Sequence, residues 1–430
     1  MIKIFLRLDS LYSLIFNLVT YILLIHGFDH EMFILLLSLI TTSLLQSSNA
    51  IPQVLAIYRL EYHDRPYSRW NHAVQENHAK GFHTGATYAP PTDLCSSYYP
   101  QLGPYSSKNK DILREHMNQL NSAGIQAIVV PFYLTTKEVN ALHQHNALLA
   151  KNGERTIDKK ITLLLTIALE FKIKVIFSLE DHRARNIIQI VNRVEYIYLK
   201  YARHGSVYKE NNGDVVMFIA NSHKINSVDL LEKLPKEGIQ YFGSFDKDGK
   251  HALMSSFSGI LIHVENEIKI AQEFATNTGM QSVIIISPGF NDLRLRPWAL
   301  KDVVERNKGE TYSNAWERAI EAKPSGVLIN SFNDWCIGSQ IEPASAVLDE
   351  EFICQSRTGC DKKSGMCAQM MKKLKIDPTY NTYSSSPSMY LELTAKYSAM
   401  FCTIGSNEAT ATTTQELIDD ELIEIEVKAQ

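Results

Sequence analysis

Residues able to do acid–base or hydrogen-bonding chemistry recur just after short apolar runs. They are Tyr133, Glu180-Asp181-His182, Asn221, His263-Val264-Glu265, Asn291-Asp292 and Ser331-Phe332-Asn333-Asp334-Trp335. Carboxylate, imidazole and carboxamide groups gathered on one rim would suit a polar ligand. Paired carboxyl groups there could also pass a proton to and from it. A second set lies between residues 61 and 101, a stretch dense in aromatics, His and Pro. It holds Trp70-Asn71-His72, Ala89-Pro90-Pro91-Thr92-Asp93 and Ser97-Tyr98-Tyr99-Pro100. A connection beyond about 15 residues inside a compact domain is usually functional. Its aromatic planes and amide and carboxylate acceptors fit a sugar-binding flap.

The elements that must position these groups alternate. Nearly all-apolar, β-branched runs cover Val54–Leu60, Gln126–Tyr133, Lys174–Glu180, Val215–Asn221, Tyr241–Phe245, Gly259–Val264, Ser282–Phe290 and Gly326–Phe332. Such runs fit strands covered on both faces, hence a parallel sheet. Amphipathic or apolar helical patterns lie between them, over Asp111–Ala123, Ile157–Phe171 and Ile187–Tyr201. Eight strands with intervening helices predict an α/β fold, a single (β/α)₈ TIM barrel with a long loop after the first strand. A doubly wound open sheet is the alternative, but no Gly-rich phosphate turn follows the first strand. The fifth and sixth strands are separated by about a dozen residues, so their crossover helix must be short.

The chain of 430 residues, 45% hydrophobic and 21% charged, can bury one large core. Its net charge of -4 gives no reason to expect a nucleic-acid partner. Ahead of the barrel, Lys3 and Arg7 precede an apolar stretch from Leu11 to Phe28, and another runs from Met32 to Leu45. The first could be a type II membrane anchor. Alternatively Met32 is the start, residues 33–45 a signal core, and Ser48-Asn49-Ala50 a cleavage site. The expected organisation is therefore a leader or anchor over 1–50, a barrel over 51–403, and a flexible acidic tail over 404–430. Cys354, Cys360, Cys367 and Cys402 crowd the C-terminal region and could form two disulfides in an oxidising lumen. Zinc is disfavoured there for want of CxxC spacing and histidine. Cys95 and Cys336 read as buried free thiols.

The motifs are specific enough to resemble a known family. Trp70-Asn71-His72, Pro90-Pro91-Thr92-Asp93, residues 96–103 (SSYYPQLG), Tyr105-Ser106-Ser107 and His116-Met117 occur in order. Pro288-Gly289-Phe290, Arg296-Pro297-Trp298, residues 331–335 (SFNDW), Gln340-Ile341-Glu342 and residues 390–394 (YLELT) follow. From about Val54 to Tyr397 the chain resembles the glycoprotein endo-α-1,2-mannosidases, glycoside hydrolase family 99. The resemblance implies a barrel, usually without a metal cofactor, in a Golgi membrane enzyme that cuts inside glucosylated high-mannose N-glycans with retention. The expected partner is thus an N-glycan, with the membrane met through the N-terminal segment, or a secreted form if that segment is cleaved. It also implies substrate contacts from Trp70, Asn71, His72, Asp93, Tyr98, Tyr133, His263, Asp292, Asn333, Trp335 and Glu342.

The family's two carboxyl groups sit in a pattern resembling Phe-Asn-Glu-Trp-His-Glu-Gly. The first deprotonates the sugar 2-hydroxyl, and the second is acid and then base. Here Asp334 holds the base position, one methylene shorter, and Ile337 holds the acid position. Glu180, Asp292 and His263 are candidate stand-in acids. The first strand end also departs, reading Ile57-Tyr58-Arg59-Leu60-Glu61 where the family is aromatic-rich. Two expectations follow: a divergent endo-α-mannosidase using Asp334, or a catalytically silent glycan-binding protein on the same barrel.

Overall fold

The computed structural model describes residues 53–75, 77, 88, 90–91, 93–132, 156–180, 187–220, 222, 232–245, 257–263, 268–345 and 380–404. Expectations about the leader, residues 354–367, the tail beyond 404, Tyr133 and the crossover between the fifth and sixth strands lie outside them.

Eight strands close into a barrel in sequence order. They are β1 (Val54–Ile57), β2 (Ala127–Pro131), β3 (Lys174–Glu180), β4 (Val215–Ala220), β5 (Ile239–Ser244), β6 (Gly259–His263), β7 (Gln281–Ile286) and β8 (Gly326–Ile329). Every adjacent pair is parallel, and β1 closes on β8 through Leu55 beside Leu328. All eight predicted strands are present, most ending a few residues earlier than their apolar runs suggested.

Alternation explains why those runs are continuous. Leu55, Ala127, Val129, Ile176, Val216, Phe218, Phe242, Leu261, Val283 and Leu328 pack together as one cluster inside the barrel. Their neighbours, such as Val54, Ile128, Val175, Met217, Ile260 and Ile284, join the larger apolar layer beneath the helices. Both faces lose water, so both are filled mainly by apolar side chains, with a few buried serines such as Ser178 and Ser282.

The described helices are α1 (Lys110–Ser122), α2 (Thr156–Glu170), α3 (Ile187–Tyr201), α4 (Ile268–Thr278), α5 (Glu310–Ala322) and α6 over 389–404. α1 starts where the Asn109 side chain accepts from the backbone N–H groups of Asp111 and Ile112. It buries Leu113, His116, Met117 and Leu120 on one stripe, and His116 later proves to belong to the site's foundation. None of the described helices is long and apolar enough to cross a membrane.

Candidate functional site at the end of the eighth strand

The chain leaves β8 through Asn330 and makes a 3₁₀ turn over Trp335–Ile337, closed by Gly338. Gly338 has φ +67°, and a β-carbon there would meet the Asn291 carbonyl oxygen at 2.7 Å. Only glycine fits that close approach. The turn is pinned to the barrel. Phe332 N–H donates to the Ile57 carbonyl (2.8 Å), Glu342 N–H to Phe332 (2.9 Å), and Asp334 N–H to Ser331 Oγ (2.8 Å).

Asp334, at the base position, is 1% exposed. Arg59 Nε donates to its Oδ2 at 2.7 Å, and Arg69 Nη2 donates to Oδ1 at 3.0 Å. Burial alone would raise its pKa, but the two guanidinium charges and their hydrogen bonds outweigh it and hold the carboxyl below its ordinary value. Arg69 also reaches Glu61 at 3.5 Å. The Asp334 carboxylate is turned inward and has a cation on each oxygen.

Asn333 is equally occupied. Its Oδ1 accepts from Arg59 N–H at 2.6 Å, and its Nδ2 donates to the Arg59 carbonyl at 3.0 Å and to Tyr105 Oη at 3.2 Å. It therefore fixes the backbone from which the Arg59 guanidinium projects. Below it, Glu342 is fully buried and accepts from Tyr105 Oη (2.8 Å) and Trp335 Nε1 (2.7 Å), with His116 Nε2 at 3.0 Å. Tyr58 Oη lies 2.8 Å from the other His116 nitrogen. Trp70 is fully buried, donates to the Tyr105 carbonyl and tilts against Tyr62 with centroids 4.2 Å apart. These groups form a continuous polar and aromatic foundation under Asp334, and each buried polar atom in it has a partner.

Other residues singled out by sequence are held elsewhere. Asp93 pairs with Arg294. Asp292 pairs with Arg296, and burial raises its pKa more than that arginine lowers it. Tyr98 lies against Arg306, whose guanidinium carbon is 4.8 Å from the ring, 5.3 Å from Tyr383 and 4.5 Å from Tyr390. Arg306 Nη2 donates to the carbonyls of Gly338 (3.0 Å) and Gln340 (2.8 Å), so this cage supports the turn from behind. Asn71 is half-buried, while His72 and His263 are exposed. Desolvation and the Arg69 charge lower the His72 pKa, against the opposing pull of Asp334. Glu180 ends β3, and the position of its side chain lies outside the description.

Two cysteine expectations need correction. Cys95 and Cys336 are buried as expected, but they form a disulfide across 241 residues of sequence. Nothing in one-dimensional spacing links such distant positions; the barrel's closure brings the long loop over the last strand's turn. Both sulfur atoms lie beside the Arg69 carbonyl, at 3.2 and 3.3 Å. Cys402, counted among the C-terminal pairs, carries a free thiol. Among the described residues no cluster of three His, Cys, Asp or Glu side chains is arranged to hold a metal ion.

Sequence reasoning gave no role to the two arginines. Arg59 appeared only as a departure at the first strand end, and Arg69 directly precedes the recognisable Trp70 motif. The signal available was two cations in rim segments expected to be aromatic.

The closed parallel barrel with its polar turn after the eighth strand is a (β/α)₈ barrel. The Glycosyl hydrolase family 99 profile matches residues 55–255 and 248–354, and the chain belongs to that family. The chain is 27% identical over 301 residues to a glycoprotein endo-alpha-1,2-mannosidase-like protein of Mus musculus, a match covering 64% of this chain and 63% of that protein. It is 27% identical over 372 residues to a glycoprotein endo-alpha-1,2-mannosidase of Mus musculus, covering 79% of this chain and 71% of the relative. The fold superposes on the GH99 endo-alpha-mannosidase from Bacteroides thetaiotaomicron with a TM-score of 0.65 and 21% identity, covering 81% of this chain and 97% of that one.

Proposed function

We propose that this chain is a glycan-binding member of family 99, one that holds α-mannose-rich N-glycans at its barrel mouth in the secretory pathway without cleaving them at a glycosidase rate. The carrying observation is the state of Asp334: buried, ionised and bonded on both oxygens by Arg59 and Arg69. To accept a proton from a sugar hydroxyl it would have to act against both cations, whose charges lower its pKa and make it a weak base.

The acid half of the reaction fares no better. Glycosidases need one carboxyl group to protonate the leaving oxygen and a second to act on the sugar. The position resembling that acid is Ile337, a half-buried hydrocarbon. General acid assistance is worth about 10²–10⁴-fold. A misplacement of about 1 Å at the partner group can cost about 10²-fold more. The two losses fall on the same step. Asp292 is tied to Arg296, although burial raises its pKa above the ordinary carboxylate value.

Glycan as ligand is supported by family membership and by the names of the mouse relatives. The Cys95–Cys336 disulfide supports an oxidising compartment, in keeping with a Golgi lumenal domain. Isothermal titration with a defined α-1,2-linked oligomannoside tests the reading. Saturable heat with one site per chain is the expected result, and absence of any binding at millimolar glycan would overturn it.

A further inference from the structure

Between the ends of β6, β7 and β8 and the side of α5 lies a cleft of about 470 Å³, within the size range of small-molecule sites. His263 at the end of β6, Asn330 directly after β8, and Arg318 on α5 all line it. Phe290 and Val304 form part of its apolar wall, and Asn314 projects into it from α5. We propose that this cleft is an exit groove for a neutral oligosaccharide, so that a chain bound at the barrel mouth continues over α5 toward α4.

Three observations point the same way. First, the side chains of Asn314, Arg318 and Asn330 hydrogen-bond to none of the described residues, although all three line the cleft. Two carboxamides offer both donors and acceptors, and a guanidinium fork offers adjacent donors. That set matches vicinal hydroxyl groups. Second, the fixed charges balance. Asp302 and Arg318 line the cleft with one charge of each sign, and the neighbouring Arg296 is shared between Asp302 and Asp292. A neutral, polyhydroxylated ligand fits this balance better than an anion does.

Third, Arg318 is shared with a neighbouring groove. The same residue lines a second groove of about 730 Å³ between α4 and α5, where Ile270 is 48% exposed. Asn314, Arg318 and Glu321 are spaced three and four residues apart, so they form one stripe along α5. The stripe links the cleft to the neighbouring groove. A chain of linked rings, rather than one isolated sugar, suits that shape.

This inference rests on the barrel mouth binding glycan, and the test separates the two. Affinity is measured by calorimetry for an α-1,2-mannobiose and for a linear mannopentaose, using the full chain, Asn314→Trp and Arg318→Ala. Both positions are exposed on α5, and urea unfolding confirms that each variant folds. Expected are mannobiose affinities within about twofold of wild type and mannopentaose affinities about tenfold weaker, equivalent to about 1.4 kcal/mol. If wild type binds mannopentaose and both variants bind it equally well, the exit groove is wrong and the mouth reading stands. If both sugars weaken in parallel, the cleft is not a separate outer subsite, and the groove is again wrong. If wild type binds neither sugar, the mouth reading has failed and takes the groove with it.

Discussion

Replacing Asp334 with Asn separates a structural carboxylate from a catalytic one. In the folded chain Asp334 is 1% exposed and neutralises Arg59 and Arg69, whose side chains are 11% and 20% exposed. The amide keeps one oxygen but turns an NH₂ group toward a guanidinium donor. One cation is thereby stranded without its counter-charge. Breaking a buried pair by removing one partner costs about 3–5 kcal/mol. Arg69 can recover some hydration, so a loss near the lower end, about 3 kcal/mol, is expected for Asp334→Asn. The assay is urea unfolding at pH 7, run as a cycle with Arg69→Met and the double variant. The double variant should be less destabilised than the sum of the singles, with a coupling of about 1–3 kcal/mol. A catalytic carboxylate held for chemistry behaves oppositely, because its removal is usually neutral or stabilising. An Asp334→Asn variant within about 0.5 kcal/mol of wild type would refute the structural role. The pH dependence carries the same sign. The depressed pKa means the contribution is complete above the unfolded value of about 3.9 and drains away as pH falls through the lower folded value. Asp334→Asn should remove that acid-side loss.

Further outcomes follow from other parts of the site. Removing the disulfide with Cys95→Ser and Cys336→Ser should cost about 2–5 kcal/mol by thermal or urea unfolding, because it closes a very long loop. An unchanged midpoint would mean the bond contributes nothing. Lys160 donates from inside the fold to the Leu60 carbonyl at 2.8 Å and sits 3.1 Å from His63 Nε2, and burial brings its pKa down to about 8. The folded chain therefore sheds this proton before the unfolded chain does, so stability should rise from about pH 8 toward pH 9.5. A Lys160→Gln variant should lack that slope in pH-resolved urea unfolding. Arg306→Met should cost about 2–4 kcal/mol, since it strips the Gly338 and Gln340 carbonyls of their donor and empties the tyrosine cage. Retained stability would show the cage to be incidental.

The barrel could be read from sequence because each strand loses water on both faces, which writes an unbroken apolar run of five or so residues. Lys174–Glu180 and Ile187–Tyr201 were placed at both ends. Elsewhere the runs overshot, as at Ser282–Phe290, because apolar loop residues such as Phe290 pack beyond the last ladder pair. The site was legible as positions but not as states. Asp334 and Ile337 stand after the last strand as expected, yet their chemistry depends on partners from distant segments. Arg59 is 275 residues away from Asp334 and Arg69 is 265, and no local pattern reports such a pairing. Glu342, Asn333, Trp70 and Trp335 were expected to contact the sugar on the strength of the family resemblance. In the fold they hydrogen-bond to one another or to the backbone, and they brace the turn. Tyr98 lies against Arg306, and a tyrosine ring can stack on a guanidinium as well as on a sugar.

Turnover by the wild-type protein bears most directly on whether Ile337 and the clamped Asp334 preclude cleavage. A defined glucosylated high-mannose glycan, incubated at saturating concentration, is followed by mass spectrometry of released fragments. Ordinary enzymes turn over at about 1–10³ per second. Expected is a rate below about 10⁻³ per second, the lower ordinary limit reduced by a general-acid loss of about 10³-fold, together with retained glycan binding. Fragment release at about 1 per second or faster, abolished by Asp334→Asn in protein that remains folded, would contradict it.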